Sequence, residues 1–267
     1  MHIKYSIQGL LIYSTMGAYI LAFLLSALRA RKTSQFFFFL GFVAAILSYS
    51  YRLLQVKHVP LQNLFEVFLF LGLIIYPLSL FCRKALKTGG FAGDMLIGAI
   101  VLFPAGFVFS ERPPSVGGLP PALQSPLFAP HVTVYLLAYF FMTKAAIAAY
   151  LQIFGVKYNP ETGLVDFEKA TYRLVCAGFP LLTLGLVLGC IWAQLAWADW
   201  WGWDPKEMWS LATWLVFAAY FHFRNLYGEK YPRLNSLWVI TGFTFIVITL
   251  LLANIPRLFP GLHNYAS

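Results

Sequence analysis

The chain runs to 267 residues, 60% hydrophobic and 11% charged, with a mean hydropathy of +0.72; this excludes a soluble globular domain and requires membrane helices. The net charge of +9 does not imply nucleic acid, because the basic residues sit in short turns between apolar runs, where they set topology. Three cysteines, Cys82, Cys176 and Cys190, form no CxxC and no disulfide framework, and without a CxxCH the chain is not itself a c-type cytochrome.

Eight apolar runs of spanning length follow one another at about 7–28, 35–54, 63–81, 92–109, 131–153, 174–195, 206–223 and 236–255. The first is too long for a signal-peptide core and lacks a small-residue cleavage site, so it reads as a mature helix. The expected fold is an all-α integral membrane protein, a single polytopic domain over 1–267. No soluble domain, low-complexity tract or internal repeat interrupts it.

Alternate turns differ in charge. Arg29, Arg31, Lys32, Arg83, Lys84, Lys87, Lys157, Lys169, Arg173, Arg224, Lys230 and Arg233 fall on one side, and Lys4, Arg52, Lys57, Arg112, Lys206 and Arg257 on the other. The positive-inside rule puts the first set in the cytoplasm. Both termini, the turns at 52–62 and 110–130 and the tail after 255 are then expected on the outer face. The turn 110–130 holds six prolines and should lie extended, with Pro130 opening the fifth span and His131 on its first turn.

Seven of the eight tryptophans lie between Trp192 and Trp214, at the junction of the sixth and seventh spans and again on the expected outer face. An aromatic belt would spread its tryptophans over many helix ends. Concentration at one hairpin favours a platform for a large, flat, partly apolar ligand. The seventh span opens with Asp204 as N-cap, Pro205 at the first helical position and Glu207 at the third, a capping box. Capping explains both acids and also fixes the angle of the tryptophans before them.

Histidines supply the candidate ligands. His131 and His263 flank the hairpin in sequence and share its expected face. Two imidazoles on opposite faces of a heme would give a six-coordinate iron, although a single interfacial histidine is also simply tolerated. His222 lies 18 residues beyond Asp204, roughly 27 Å down a helix. There it reads equally as an intramembrane functional group or as the interfacial helix end beside a snorkelling Arg224. His58 gives a weak signal and His2 none.

Trp197–Trp203 followed by Asp204, Pro205, Lys206 and Glu207 resembles the WWD signature of the heme-handling superfamily. The run Trp203 to Trp209, the segment Thr213 to His222 and Arg224 look specifically like the CcsA/ResC family of the system II cytochrome c biogenesis machinery. Outside 186–224 the resemblance is thinner: Pro60 to Glu66 (PLQNLFE) and the single histidines at 131 and 263. One departure is Ala198, where many family members have glycine before the aromatic pair.

The resemblance implies a factor that relays heme across the membrane and presents it at the outer face for thioether attachment to the CxxCH of apocytochrome c. It implies heme b as cofactor and a membrane partner of the CcsB/ResB type, with thiol-reducing thioredoxin-like proteins and the lipid bilayer as further partners and no nucleic acid. The chain would be a subunit of a cytochrome c synthase, heme lyase-like. His131 and His263 match the outer heme ligands, and His222 matches one ligand of an inner heme site whose second ligand comes from the partner. Trp197, Trp200, Trp201, Trp203, Asp204 and Glu207, within a WWD segment at about 192–210, would line the cofactor, and no catalytic residue separate from the heme ligands is implied. Arg112 and Arg257 are candidate propionate partners, although a role as interfacial anchors suits them better. The membrane is a bacterial inner membrane or, second, a thylakoid. Two rivals stand beside this reading: a b-type heme electron-transfer protein, and a HemX-like regulatory membrane protein.

Overall fold

The structure is a computed structural model and describes residues 3–111, 119–156, 158–159, 163–164 and 166–251. His263, Arg112 and Arg257 lie outside the described residues.

Among the described residues eight α-helices follow in order: α1 (Ile7–Ala27), α2 (Arg31–Val56), α3 (Leu64–Phe81), α4 (Phe91–Phe103), α5 (Phe128–Ile153), α6 (Phe167–Trp197), α7 (Pro205–Tyr227) and α8 (Pro232–Leu250). Single π-helical turns extend α3 over Cys82–Leu86 and α4 over Pro104–Val108. Two two-residue strands, β1 (Tyr158–Asn159) and β2 (Gly163–Leu164), pair antiparallel between α5 and α6. Seven of the helices are long and apolar enough to cross a bilayer, and the chain is an all-α integral membrane protein. The exception among the described residues is α7. Its 23 residues would reach about 35 Å, but Lys206, Glu207, Ser210, Thr213, His222 and Arg224 make it more polar than its neighbours.

The helix starts follow local chemistry. Ser6 caps α1 by accepting the Gly9 N–H, and Asn63 caps α3 by accepting the Glu66 N–H, each at 3.0 Å. Four starts fall three or more residues before the sequence expectation: α2 at Arg31, α5 at Phe128, α6 at Phe167 and α8 at Pro232. Helix α6 begins at Phe167 rather than near 174, because Asp166 caps it by accepting the Lys169 N–H at 3.1 Å. Burial pushes the Asp166 carboxyl up, but the Lys169 N–H and ammonium outweigh burial and hold it below the usual carboxylate range. Helix α5 begins at Phe128, so Pro130 sits inside the first turn, where its missing N–H has no intrahelical acceptor to lose. The segment before α5 is also not wholly extended, since Pro121–Gln124 forms a 3-10 turn.

The contacts divide the chain into two compact units, 1–83 with 90–119, and 84–89 with 120–267. In the first, α1 packs on α2 and α4, and α3 on α4 and α2. Its centre is Tyr19, fully buried, with its ring in edge-to-face contact with Phe38 and its hydroxyl donated to the Gly72 carbonyl at 3.1 Å. Near the start of α3, Arg52 pairs with Glu66 at 2.8 Å, both side chains almost wholly buried. The second carboxylate oxygen of Glu66 accepts the Gln62 N–H at 2.8 Å, so a charged pair closes the PLQNLFE turn from within. In the second unit α5 packs along α6 and also meets α8, while α7 packs mainly on α8 and only lightly on α6.

Candidate functional site

The turn between α6 and α7 is built by backbone conformations that most side chains avoid. Helix α6 ends at Ala198, which is left-handed at φ +59°, and Trp203 repeats that conformation at φ +54°. The capping box then restarts the helix. Asp204 accepts the Lys206 N–H at 2.9 Å. Glu207 reaches back to accept the N–H groups of Asp204 at 3.2 Å and Gly202 at 2.9 Å. Trp201, Gly202 and Trp203 are thereby hung from the first turn of α7.

The seven tryptophans do not form one surface. Trp192 is buried and donates its indole N–H to the Ala122 carbonyl at 2.9 Å. Trp209 meets Phe245 of α8 in a perpendicular ring contact, centroids 5.2 Å apart. Trp214 stacks on Phe179 and donates to Thr183 at 2.9 Å. These three fasten helices together. Trp200 and Trp203 are exposed, at 57% and 68%, and Trp197 and Trp201 are half-buried. Those four are the tryptophans that sequence assigns to ligand contact, and they lie at the end of α6 and in the loop itself. Asp204 is buried and Glu207 half-buried beneath it.

His131 is joined to this loop through aromatic contacts. Its ring stacks on Trp192 with centroids 5.6 Å apart, and Trp192 meets Trp197 edge-on at 4.8 Å. His131 also meets Tyr135 edge-on at 5.1 Å. The Nδ1 of His131 lies 2.9 Å from the Gly185 carbonyl of α6. A carbonyl only accepts, so Nδ1 carries the proton and Nε2 is the nitrogen with the in-plane lone pair. A backbone bond of this kind orients imidazoles that ligate metals.

Helix α6 makes room for the ring. A Cβ on Gly189 would lie 2.7 Å from Cε1 of His131, and one on Gly185 would lie 2.9 Å from the ring of Tyr135. The Tyr135 side chain also meets Tyr139 one turn further along α5, with ring centroids 5.7 Å apart. Gly185, Gly189, Tyr135 and Trp192 are thus the second layer of the site. The sequence reading did not single out the first three, although the Gly-x-x-x-Gly spacing on an apolar helix signals a close helix crossing.

His222 lies apart from this cluster, exposed near the C-terminal end of α7. Beside it is a polar cluster that sequence did not foresee. Arg224 pairs with Glu168 of α6, lies 4.2 Å over the ring of Tyr172, and has Nη2 3.8 Å from Glu229. Glu168 also accepts the Asn235 side-chain N–H of α8 at 2.9 Å, and Asn235 donates to the Gly228 carbonyl at 3.0 Å. One knot therefore ties the ends of three helices. His58 is half-buried, with Nδ1 3.0 Å from the carbonyl of its neighbour Val59.

Comparison with known proteins bears on this arrangement. The family model described as Cytochrome C assembly protein matches residues 33–259. The cytochrome c biogenesis protein CcsA of Guillardia theta is 31% identical over 80% of this chain and 79% of its own length. The CcsA of Prochlorococcus marinus strain MIT 9301 is 31% identical over 78% and 76%. The CcsA of Chlamydomonas reinhardtii is 31% identical over 78% of this chain, which spans 61% of that protein. Among solved structures, the cytochrome c heme lyase CcmF superposes with a TM-score of 0.65 at 19% identity, over 94% of this chain and 48% of that one. That likeness concerns the fold. The family model covers most of the chain, and the CcsA proteins match it across both helical units: the chain belongs to the CcsA family of cytochrome c biogenesis proteins.

Proposed function

We propose that this chain takes up heme b, relays it across the membrane with a CcsB/ResB-type partner, and presents it at the outer face for attachment to apocytochrome c. Heme is the cargo. The observation that carries the reading is the setting of His131: its Nδ1–H is committed to the Gly185 carbonyl, its ring is held by contacts with Trp192 and Tyr135, and its Nε2 carries the lone pair that would ligate iron. A histidine merely tolerated at an interface does not need a glycine-lined slot. The exposed faces of Trp200 and Trp203 supply apolar cover for a flat ring, and Glu207 and Asp204 hold the loop that bears them.

His263 is the second outer ligand by family resemblance, and His222 is the ligand on this chain of the inner site. Ligation of the outer heme from both faces keeps the iron coordinatively closed while the vinyl groups stay open. Each cysteine thiol of CxxCH then adds across one vinyl double bond, the sulfur to one carbon and the hydrogen to the other, with no net oxidation. Thioredoxin-like proteins keep those thiols reduced. The chain contributes mainly position. Its membrane is a bacterial inner membrane or a thylakoid, oriented so that the tryptophan loop faces outward.

The visible spectrum of the purified protein with its partner tests this. His131→Ala and His263→Ala are expected to lose or broaden the sharp bands of the reduced heme, with recovery on added imidazole. His222→Ala should reduce heme loading at both sites. Unchanged heme content and spectrum in both outer variants would overturn the ligand assignment.

A further inference from the structure

We infer that the cavity at the C-terminal end of α7 is a carboxylate-binding subsite, where Arg224 and Asn225 receive the propionates of the heme whose iron His222 takes. This rests on the reading of His222 as an inner ligand. The cavity has a volume of about 520 Å³ and is lined by Tyr172, Phe221, Arg224, Asn225, Gly228 and Glu229. Residues 221, 224, 225 and 228 share one helix face, since they repeat every three to four positions. His222 borders that face, and Asn225, three residues on, lies about 4.5 Å further along the axis. That is the scale of half a porphyrin. A ring ligated at His222 would lie along α7 with its carboxylate edge at the cavity.

The chemistry of Arg224 fits this role. One part of its guanidinium is fixed by the buried carboxylate of Glu168, and its face rests on Tyr172, so the group is held rigid. Toward the cavity, Nη2 has Glu229 at 3.8 Å, beyond hydrogen-bond reach, and the Glu229 side chain is 55% exposed. A planar guanidinium fork suits a carboxylate at each edge. Glu229 stands where an incoming carboxylate would go and holds the place loosely. Tyr172 and Phe221 wall the cavity with aromatic surface, and Asn225 adds an amide donor. The combination selects a flat, largely apolar molecule with carboxylates on one edge.

The test is titration of the full chain with its partner, in detergent, by difference absorption. A His131→Ala background silences the outer site. Heme and heme dimethyl ester, whose propionates are blocked, are the two probes. Arg224→Gln and Asn225→Leu are each expected to weaken heme binding, Arg224→Gln by about tenfold or more, since a hydrogen bond to a charged group contributes roughly 1.5–3 kcal/mol. Neither should change binding of the ester. Glu229→Gln, which leaves the buried knot intact, should tighten heme binding severalfold by removing the competing charge. Should Arg224→Gln fail to fold, Asn225→Leu and Glu229→Gln decide. Equal losses for heme and ester, or a Glu229→Gln variant that binds heme no better, overturn the subsite. His222→Ala separates the two ideas. If it leaves heme binding intact, the inner-ligand reading itself fails. If it abolishes binding while the Arg224, Asn225 and Glu229 variants change nothing, only the subsite fails.

Discussion

At the scale of single residues, two positions decide the geometry of the hairpin. His131 is held by a backbone carbonyl and by the missing side chain of Gly189. Alanine there would put a Cβ 2.7 Å from Cε1 and 3.1 Å from Nδ1 of the imidazole, and neither Trp192 nor Tyr135 leaves the ring an easy retreat. Gly189→Ala is therefore expected to reproduce the spectrum of His131→Ala, including its recovery by imidazole, in a protein that still folds. A wild-type spectrum in that variant would mean the ring has other room. Ala198 is the second position. It adopts the left-handed conformation, which costs an L-residue roughly 1–2 kcal/mol. Glycine removes that cost but adds roughly 0.4–1 kcal/mol of unfolded-state entropy. Ala198→Gly should thus stabilise the hairpin by up to about 1 kcal/mol, read as a small upward shift in thermal unfolding. Ala198 is visible in the sequence as a residue before the aromatic pair, and its backbone angle shows why glycine would suit the position. Nothing comparable marks Gly189 until His131 is seen against it.

At the scale of elements, α7 is the helix with a job at each end, and its polarity follows from that. Its N-terminal capping box is legible from Asp204, Pro205 and Glu207 alone, because capping is local chemistry. The tryptophans were not separable in the same way. Trp209 and Trp214 face α8 and α6, and only tertiary packing tells them from the exposed Trp200 and Trp203. The early start of α6 was hidden for a related reason. Glu168 reads as a charge that ends an apolar run, yet it is accommodated within the helix because Arg224 and Asn235 meet it. The element-scale prediction concerns Glu207. One of its carboxylate oxygens accepts two loop N–H groups, so Glu207→Ala should cost about 1–2 kcal/mol, the upper range for a lost cap, and free the tryptophan loop. Glu207→Gln keeps an acceptor and should lose much less. Tryptophan fluorescence and limited proteolysis at the hairpin would tell the two apart; equal behaviour of both variants would mean the loop is held by its aromatic contacts instead.

At the scale of the whole molecule, composition gave the membrane class and the helix count, since length and apolarity alone decide those. It could not give the buried charges, because a residue's partner is set by folding. Each helical unit nonetheless contains one: Arg52 with Glu66 in the first, Arg224 with Glu168 in the second. Both join residues far from one another along the chain or across a helix break, and both lie where a helix begins. Removing one partner of a buried pair leaves an uncompensated charge and costs roughly 3–5 kcal/mol, whereas replacing both by apolar residues of similar size is often close to neutral. The first unit offers the cleaner case, since no heme ligand is proposed there. Glu66→Leu would take the carboxylate away from the Arg52 guanidinium and also orphan the Gln62 N–H, so it should destabilise the protein by up to about that amount. Arg52→Met with Glu66→Leu should recover most of the loss, leaving a residue attributable to Gln62. Unfolding of the four proteins in mixed micelles would supply the double-mutant cycle. A coupling energy near zero would show that the pair is a bystander, and that the turn before α3 is held by Asn63 and its apolar neighbours. A large coupling with heme binding unchanged would establish the pair as a fastener of the first unit, separate from the chemistry of the second.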